Sequence, residues 1–329
     1  MPRLYGSQNG RRYQQLGDAP HFARYRAPGC GLTLVPFARM RHRMFSTVTF
    51  RGLVEFSPTF APRRQISHVL FDFDGTLSLI RQGWPEVMLP MFLELLPRRG
   101  GDTDEQLRQM LFDDIMRLNG KQTIYQMIQF AERVKERGGE AKEPLWYKKE
   151  YLRRLEERIG HRIEGVATGS LQRDDFLVFG TRSLLESLSN RRLKLYLASG
   201  TDEPFVKAEA ELLDLTRYFG EHIYGAKDDY RTFSKKMVID RILRENQIAG
   251  EQLLSFGDGY VEIENTKEAG GLAVAVASDE AHNGSGRMDE WKRTRLLGVG
   301  ADVVIPDYRD GDALLDCIFC EFDAHQSPR

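Results

Sequence analysis

The sequence predicts an α/β protein, a doubly wound Rossmann-like parallel sheet carrying an inserted α-helical cap. Two observations lead there. From about residue 176 onward, short apolar runs alternate with helix-period segments, the rhythm of a parallel sheet covered by helices on both faces. One further apolar run, VLFDFD at 69–74, stands well ahead of the others, and the residues between repeat their apolar positions at helical spacing. Residues 65–78 and 176–329 are therefore read as the core, and 79–175 as a helical cap over the sheet.

Residues 1–64 are a different kind of segment. They hold eleven Arg, no Lys and only Asp18 and Glu55 as acids; with 47 basic and 48 acidic residues in the whole chain, 36 and 46 remain for the rest. Scattered Gly and Pro and the lack of any period predict a basic, mostly disordered leader. Its Arg-rich, acid-poor composition suits an organelle transit peptide, although Ser is scarce and no amphipathic helix stands out. An extension upstream of a later start at Met40 or Met44 is an alternative. A nucleic-acid-binding arm ranks last, because the aromatics are not interleaved in a repeating way.

The first strand runs into Asp72 and Asp74, which alternation places on one face. Gly75 then lets the backbone turn, and Thr76 brings a hydroxyl to the turn. Two neighbouring carboxylates repel unless a cation or a proton lies between them. In the insert, Trp84, Val87, Met88, Met91, Phe92 and Leu95 mark one helical face, with the methionines read as core. DEQLRQMLFDDIMRL, TIYQMIQFAERVKER with Thr123 as N-cap, and EPLWYKKEYLRRLEERI supply three more helices. Behind the insert, LKLYLASG, LLSFGDG, LAVAVAS and ADVVIPD read as strands, each preceded by a helical segment or a glycine turn.

No stretch approaches the roughly 18 apolar residues of a membrane span; the nearest, VMLPMFLELL, is broken by Pro90 and Glu94. No membrane partner is expected. Cys30, Cys317 and Cys320 cannot form a disulfide framework, which favours a reducing compartment: the cytoplasm, or an organelle matrix if the leader is a transit peptide. Cys317 and Cys320 form a lone CxxC with no second pair nearby, so packing is favoured over a zinc site.

Ligands of open α/β sheets sit beyond the carboxyl ends of the strands. The polar residues there are Asp72 and Asp74, then Ser199, then Asp258 with Glu262 and Glu264 behind it; Lys235 opens the helix before the Asp258 strand. Carboxylates, a hydroxyl and an ammonium converging on one crevice suit a phosphate and a Mg²⁺ ion, which takes hard oxygen ligands and only one or two protein carboxylates.

DFDGT, a later strand-end Ser, a Lys and GDGYVE, in this order, resemble the haloacid dehalogenase (HAD) superfamily over about residues 66–310. The resemblance implies an Mg²⁺-dependent phosphate monoester hydrolase acting through an aspartyl-phosphate. By motif, Asp72 is the nucleophile and Asp74 the acid and base. Ser199, Gly200 and Lys235 hold the phosphoryl oxygens, and Asp72, Asp74, Asp258 and Glu262 hold the metal. Many relatives have Asp where this chain has Glu262. Lys235 is preferred to Lys236 because FSKK leads into an apolar helix, with Lys227 a more distant alternative. Asp74 argues against dehalogenation and phosphonate cleavage. A phosphomutase using the same acids is the enzyme alternative, and a non-catalytic binding or regulatory module the other. The partner is a small-molecule phosphate ester, not a nucleic acid, read by cap residues such as Arg81, Trp84 and Lys121; nothing in the sequence fixes the oligomeric state.

Overall fold

The structure, a computed structural model, describes residues 54–319. Strand β1 (Glu55–Phe56) precedes β2 (His68–Phe71); helices α1 (Pro85–Leu95), α2 (Asp104–Arg117), α3 (Thr123–Glu136) and α4 (Pro144–Thr168) follow. The chain continues through α5 (Thr181–Asn190), β3 (Lys194–Asp202), α6 (Glu203–Leu212), α7 (Thr216–Phe219), β4 (Ile223–Ala226) and α8 (Lys235–Asn246). Then come β5 (Leu253–Gly257), α9 (Tyr260–Glu268), β6 (Leu272–Val276), α10 (Glu290–Gly298), β7 (Val303–Ile305) and α11 (Gly311–Phe319).

The strands form one sheet in the order β1-β7-β6-β5-β2-β3-β4. All described pairings are parallel except β1 with β7. Every residue of β2, β5, β6 and β7 is buried, as expected of strands covered on both faces. Register positions the site: Phe71 lies opposite Leu197 on one side and Phe256 on the other. Asp72 just past β2, Asp258 just past β5 and Ser199 within β3 therefore stand on three adjacent strands at nearly one level.

Helices α1 to α4 build their own packing. Phe92 stacks on Phe130 at 4.0 Å between ring centroids, and Tyr147 meets Phe130 edge-on at 5.0 Å; such pairs contribute roughly 0.5–1.5 kcal/mol beyond their burial. Met88 and Met91 are fully buried there. Two connections tie these helices to the sheet side by side: the Leu79 N–H donates to Phe176 O, and the Val178 N–H to Leu77 O. This ribbon holds the helices over the carboxyl ends of β2 and β3.

Some expectations need correction. Residues 54–64, expected in the leader, belong to the core: β1 closes the sheet edge, Val54 and Phe56 are buried, and Phe60 packs on Phe56 at 4.6 Å. Residues 1–53, including Cys30, and Cys320 lie outside the described residues. Thr123 is the first residue of α3 and not its cap. The cap position falls to Gln122, whose amide donates to Tyr230 O and Phe233 O; these tertiary bonds override the local preference for a Thr cap. Strand β4, which the sequence reading passed over, pairs with β3. Cys317 is half-buried on α11.

Candidate active site

The Asp72 N–H still follows the sheet, donating to Phe256 O at 2.9 Å, before the chain turns away at Gly75. Gly75 has φ +75°, and a Cβ there would come within 2.3 Å of Asp258 Oδ2, so both conformation and space demand glycine. Asp72 Oδ1 accepts from the Phe73 N–H at 2.8 Å, and Oδ2 lies 2.7 Å from Lys235 Nζ. Ser234 caps α8 by accepting from the Met237 N–H, which fixes where the helix begins and aims its first residue, Lys235, into the crevice.

Lys235 is buried between Asp72 and Glu262, with Glu262 Oε2 also at 2.7 Å. Burial disfavours its charge, but the two carboxylates outweigh it and hold the ammonium above its ordinary range. Burial pushes the Asp72 carboxyl up, with Lys235 pulling it down and Glu262 and Asp258 adding to the rise. Lys236 is exposed and pairs with Glu268 instead. Glu262 also accepts from the Gly259 N–H through Oε1 at 2.6 Å, so both its oxygens are engaged.

Carboxylate oxygens of Asp72, Asp258 and Glu262 lie within 4.8 Å of one another, all three residues buried. The Asp258 N–H donates to Thr76 Oγ1, whose own carbonyl accepts from the Tyr308 hydroxyl. Asp72, Asp74, Asp258, Glu262 and Glu280 together outnumber the ammoniums of Lys235 and Lys292. A hard divalent cation between Asp72 and Asp258 fits both the donor chemistry and the charge.

The Asp74 carboxylate stands outside that grouping. It faces β3, where Oδ2 accepts from Ser199 Oγ at 3.1 Å and from Thr201 Oγ1 at 2.8 Å. Its Oδ1 is buried without a hydrogen-bond partner, 3.8 Å from Arg81 Nε, and so is left for a ligand's oxygen. Removing the Thr201 hydroxyl takes away a bond to a charged group, worth about 1.5–3 kcal/mol. Thr201→Val is expected to lower kcat roughly 10- to 100-fold with the fold intact, checked by steady-state kinetics and a melting curve.

The cap residues are placed unevenly. Arg81 is buried and grips Glu209 on α6, with Nε to Oε1 at 2.9 Å and Nη2 to Oε1 at 2.6 Å; it lines the cleft but is already paired. Trp84 is half-buried at the start of α1 and lines the cleft. Lys121 is exposed, on a loop whose backbone rests on the core: a Cβ on Gly200 would lie 2.6 Å from Lys121 O. Asn119, Thr123, Gln126 and Tyr151 complete the cap side of the cleft. Lys227 and Glu264 are not among the cleft's lining residues.

Thr201, Glu209, Glu280 and Lys292 also stand at or beside the site and were not expected there. Thr201 was within reach, two residues after Ser199 on a strand and so on the same side. Glu280 and Lys292 arrive from beyond the last motif.

A family model described as "Hydrolase: haloacid dehalogenase-like hydrolase" matches residues 66–270. No curated protein matches in sequence. Among solved structures, a protein from Haemophilus somnus 129pt described as a predicted phosphoglycolate phosphatase superposes with a TM-score of 0.50 at 14% identity, covering 76% of this chain and 98% of its own. A haloacid dehalogenase-like protein of unknown function from Agrobacterium tumefaciens C58 does so at 0.50 and 17%, covering 76% and 97%.

Proposed function

Because the chain belongs to the haloacid dehalogenase-like hydrolases, we propose that it is an Mg²⁺-dependent phosphatase acting on a small phosphorylated metabolite through an aspartyl-phosphate. The observation that carries this reading is Asp72, held by Lys235 at 2.7 Å, with Asp258 and Glu262 gathered beside it in a buried cluster.

Asp72 Oδ bonds to phosphorus as the ester oxygen departs, and Asp74 gives that oxygen its proton. Water then attacks the same phosphorus, Asp74 takes its proton, and the bond to Asp72 breaks, releasing inorganic phosphate. Asp74 is built for this exchange, because Ser199 and Thr201 fix one oxygen while the other is left unbonded. Lys235 and the backbone N–H groups around the Gly75 turn and Gly200 hold phosphoryl oxygens. Bound between Asp72 and Asp258, Mg²⁺ would offset the repulsion between Asp72 and an incoming phosphate. Glu262, with both oxygens engaged, anchors Lys235 and the Gly259 loop. The leaving group is read from the cap side by Trp84, Lys121 and the polar residues around them, while Arg81 with Glu209 fixes the wall beside Asp74.

The test is hydrolysis of p-nitrophenyl phosphate, then of a panel of phosphorylated metabolites. Activity is expected to fall more than tenfold in excess EDTA and to return with Mg²⁺. Inorganic phosphate should appear in step with the alcohol; an isomeric phosphate in its place would make the protein a mutase, and EDTA-resistant turnover would remove the metal.

A further inference from the structure

Three oxygens converge on Lys292 Nζ: Glu280 Oε1 at 2.7 Å, Asp258 Oδ2 at 2.8 Å and Ser278 Oγ at 3.2 Å. An ammonium has three N–H donors, and here three acceptors meet it. The lysine is 7% exposed, and Asp289 caps α10 by accepting from the Trp291 and Lys292 N–H groups, so the backbone that delivers the side chain is fixed. Ser278 spends its own proton on Gly75 O at 2.7 Å, which leaves a lone pair for the ammonium and links it to the turn carrying Asp74.

Two carboxylates and a hydroxyl are the donor set of a hard cation. One of those carboxylates, Asp258, is shared with the Asp72 cluster, so the cage adjoins the metal position of the proposed phosphatase. We propose that Lys292 is a tethered counter-cation filling a second cation position of the site, so that the wild-type chain takes one divalent ion and removing the ammonium opens the cage to another. This rests on the metal-dependent reading above. It fixes Asp258 through Oδ2, while Thr76 Oγ1 donates to Oδ1 at 3.4 Å, so that the carboxylate is held in place for the metal it would share with Asp72. It also explains why a group so far along the sequence from the motifs is buried beside Asp258 and Glu280, where an uncompensated charge is strongly unfavourable. Lys292 is thus a positioning residue acting through Asp258.

Titration of the full chain with Mn²⁺, followed by the electron paramagnetic resonance signal of the free ion, counts the bound ions directly. Wild type and Lys292→Arg are expected to bind one ion per chain, and Lys292→Met two. In Lys292→Met with Glu280→Gln the cage loses a carboxylate, and the count should return to one. Two ions bound by wild type at saturation overturn the inference without recourse to any variant, so it stays testable if Lys292→Met does not fold. One ion in both wild type and Lys292→Met overturns it while leaving the metal-dependent phosphatase standing. Two ions in the double variant overturn it too, since the second would then lie elsewhere. No ion in wild type defeats the metal reading and this inference with it.

Discussion

Asp72→Asn is expected to lower kcat/KM for p-nitrophenyl phosphate on the order of 10⁴-fold, the scale seen when a nucleophile or its essential partner is removed. The substitution keeps size and shape. An amide oxygen can still accept from the Phe73 N–H, as Asp72 Oδ1 does at 2.8 Å, so a loss of activity would not follow from a collapsed turn. What disappears is the anionic oxygen 2.7 Å from Lys235, the atom that bonds to phosphorus in the proposed reaction. The fold should survive, because Lys235 retains Glu262 at 2.7 Å and one buried carboxylate fewer has to be neutralised. A melting curve separates the two effects.

Asp74→Asn supplies the contrast. Its loss should be about 10² to 10⁴, the contribution of a placed proton donor and acceptor. The chemistry of the two variants should also differ in kind. Acid quenching during turnover of radiolabelled p-nitrophenyl phosphate, whose leaving group departs without help from an acid, should leave label on the protein in wild type, more of it in Asp74→Asn, where water lacks its base, and none in Asp72→Asn. Label persisting in Asp72→Asn would move the nucleophile to another residue; activity within tenfold of wild type would end the mechanism.

The grouping of the strand-end residues is legible in the sequence for reasons that lie in the sheet. A parallel sheet delivers the ends of β2, β3 and β5 to one crevice, so residues far apart in sequence could be grouped by their place at strand ends. Alternation places Asp72 and Asp74 on one face, and both line the cleft, although the strand ends at Phe71 and the carboxylates take different partners there, Lys235 for one and Ser199 and Thr201 for the other. Strand β1 was hidden because two residues carry no measurable period, and its pairing with β7 is visible only in the folded sheet. Lys292 was hidden more deeply: in WKRTRLLG it resembles any solvated helix lysine, and only the packing of α10 against β6 turns it inward. Arg81, just past the Gly75 turn, does line the cleft, but its pairing with Glu209, a partner 128 positions away, could not be seen in the sequence.

Lys235→Met should damage both stability and catalysis, whereas the same change at the next residue should do neither. Lys235 Nζ is the shared partner of two buried carboxylates, Asp72 and Glu262, each at 2.7 Å. Methionine fills the volume but leaves those acids facing each other without a cation, and breaking a buried pair from one side costs about 3–5 kcal/mol. At about 2–4 °C per kcal/mol for a domain of 150–250 residues, Tm should drop by roughly 6–20 °C. Added Mg²⁺ should restore part of the loss, and raise Tm more in the variant than in wild type, because an ion between Asp72 and Asp258 supplies some of the missing charge. Hydrolysis should remain at least about 10³-fold down even with saturating Mg²⁺, since the variant has lost both a donor to the phosphoryl oxygens and the group that orients Asp72. Lys236 is exposed and paired with Glu268 at 3.1 Å; surface changes of this sort stay within about 0.5 kcal/mol. Lys236→Met should therefore melt and turn over as wild type does. Loss of activity in Lys236→Met with Lys235→Met active would reverse the assignment of the two lysines. A stable Lys235→Met would mean that the buried acids are satisfied by something other than this ammonium.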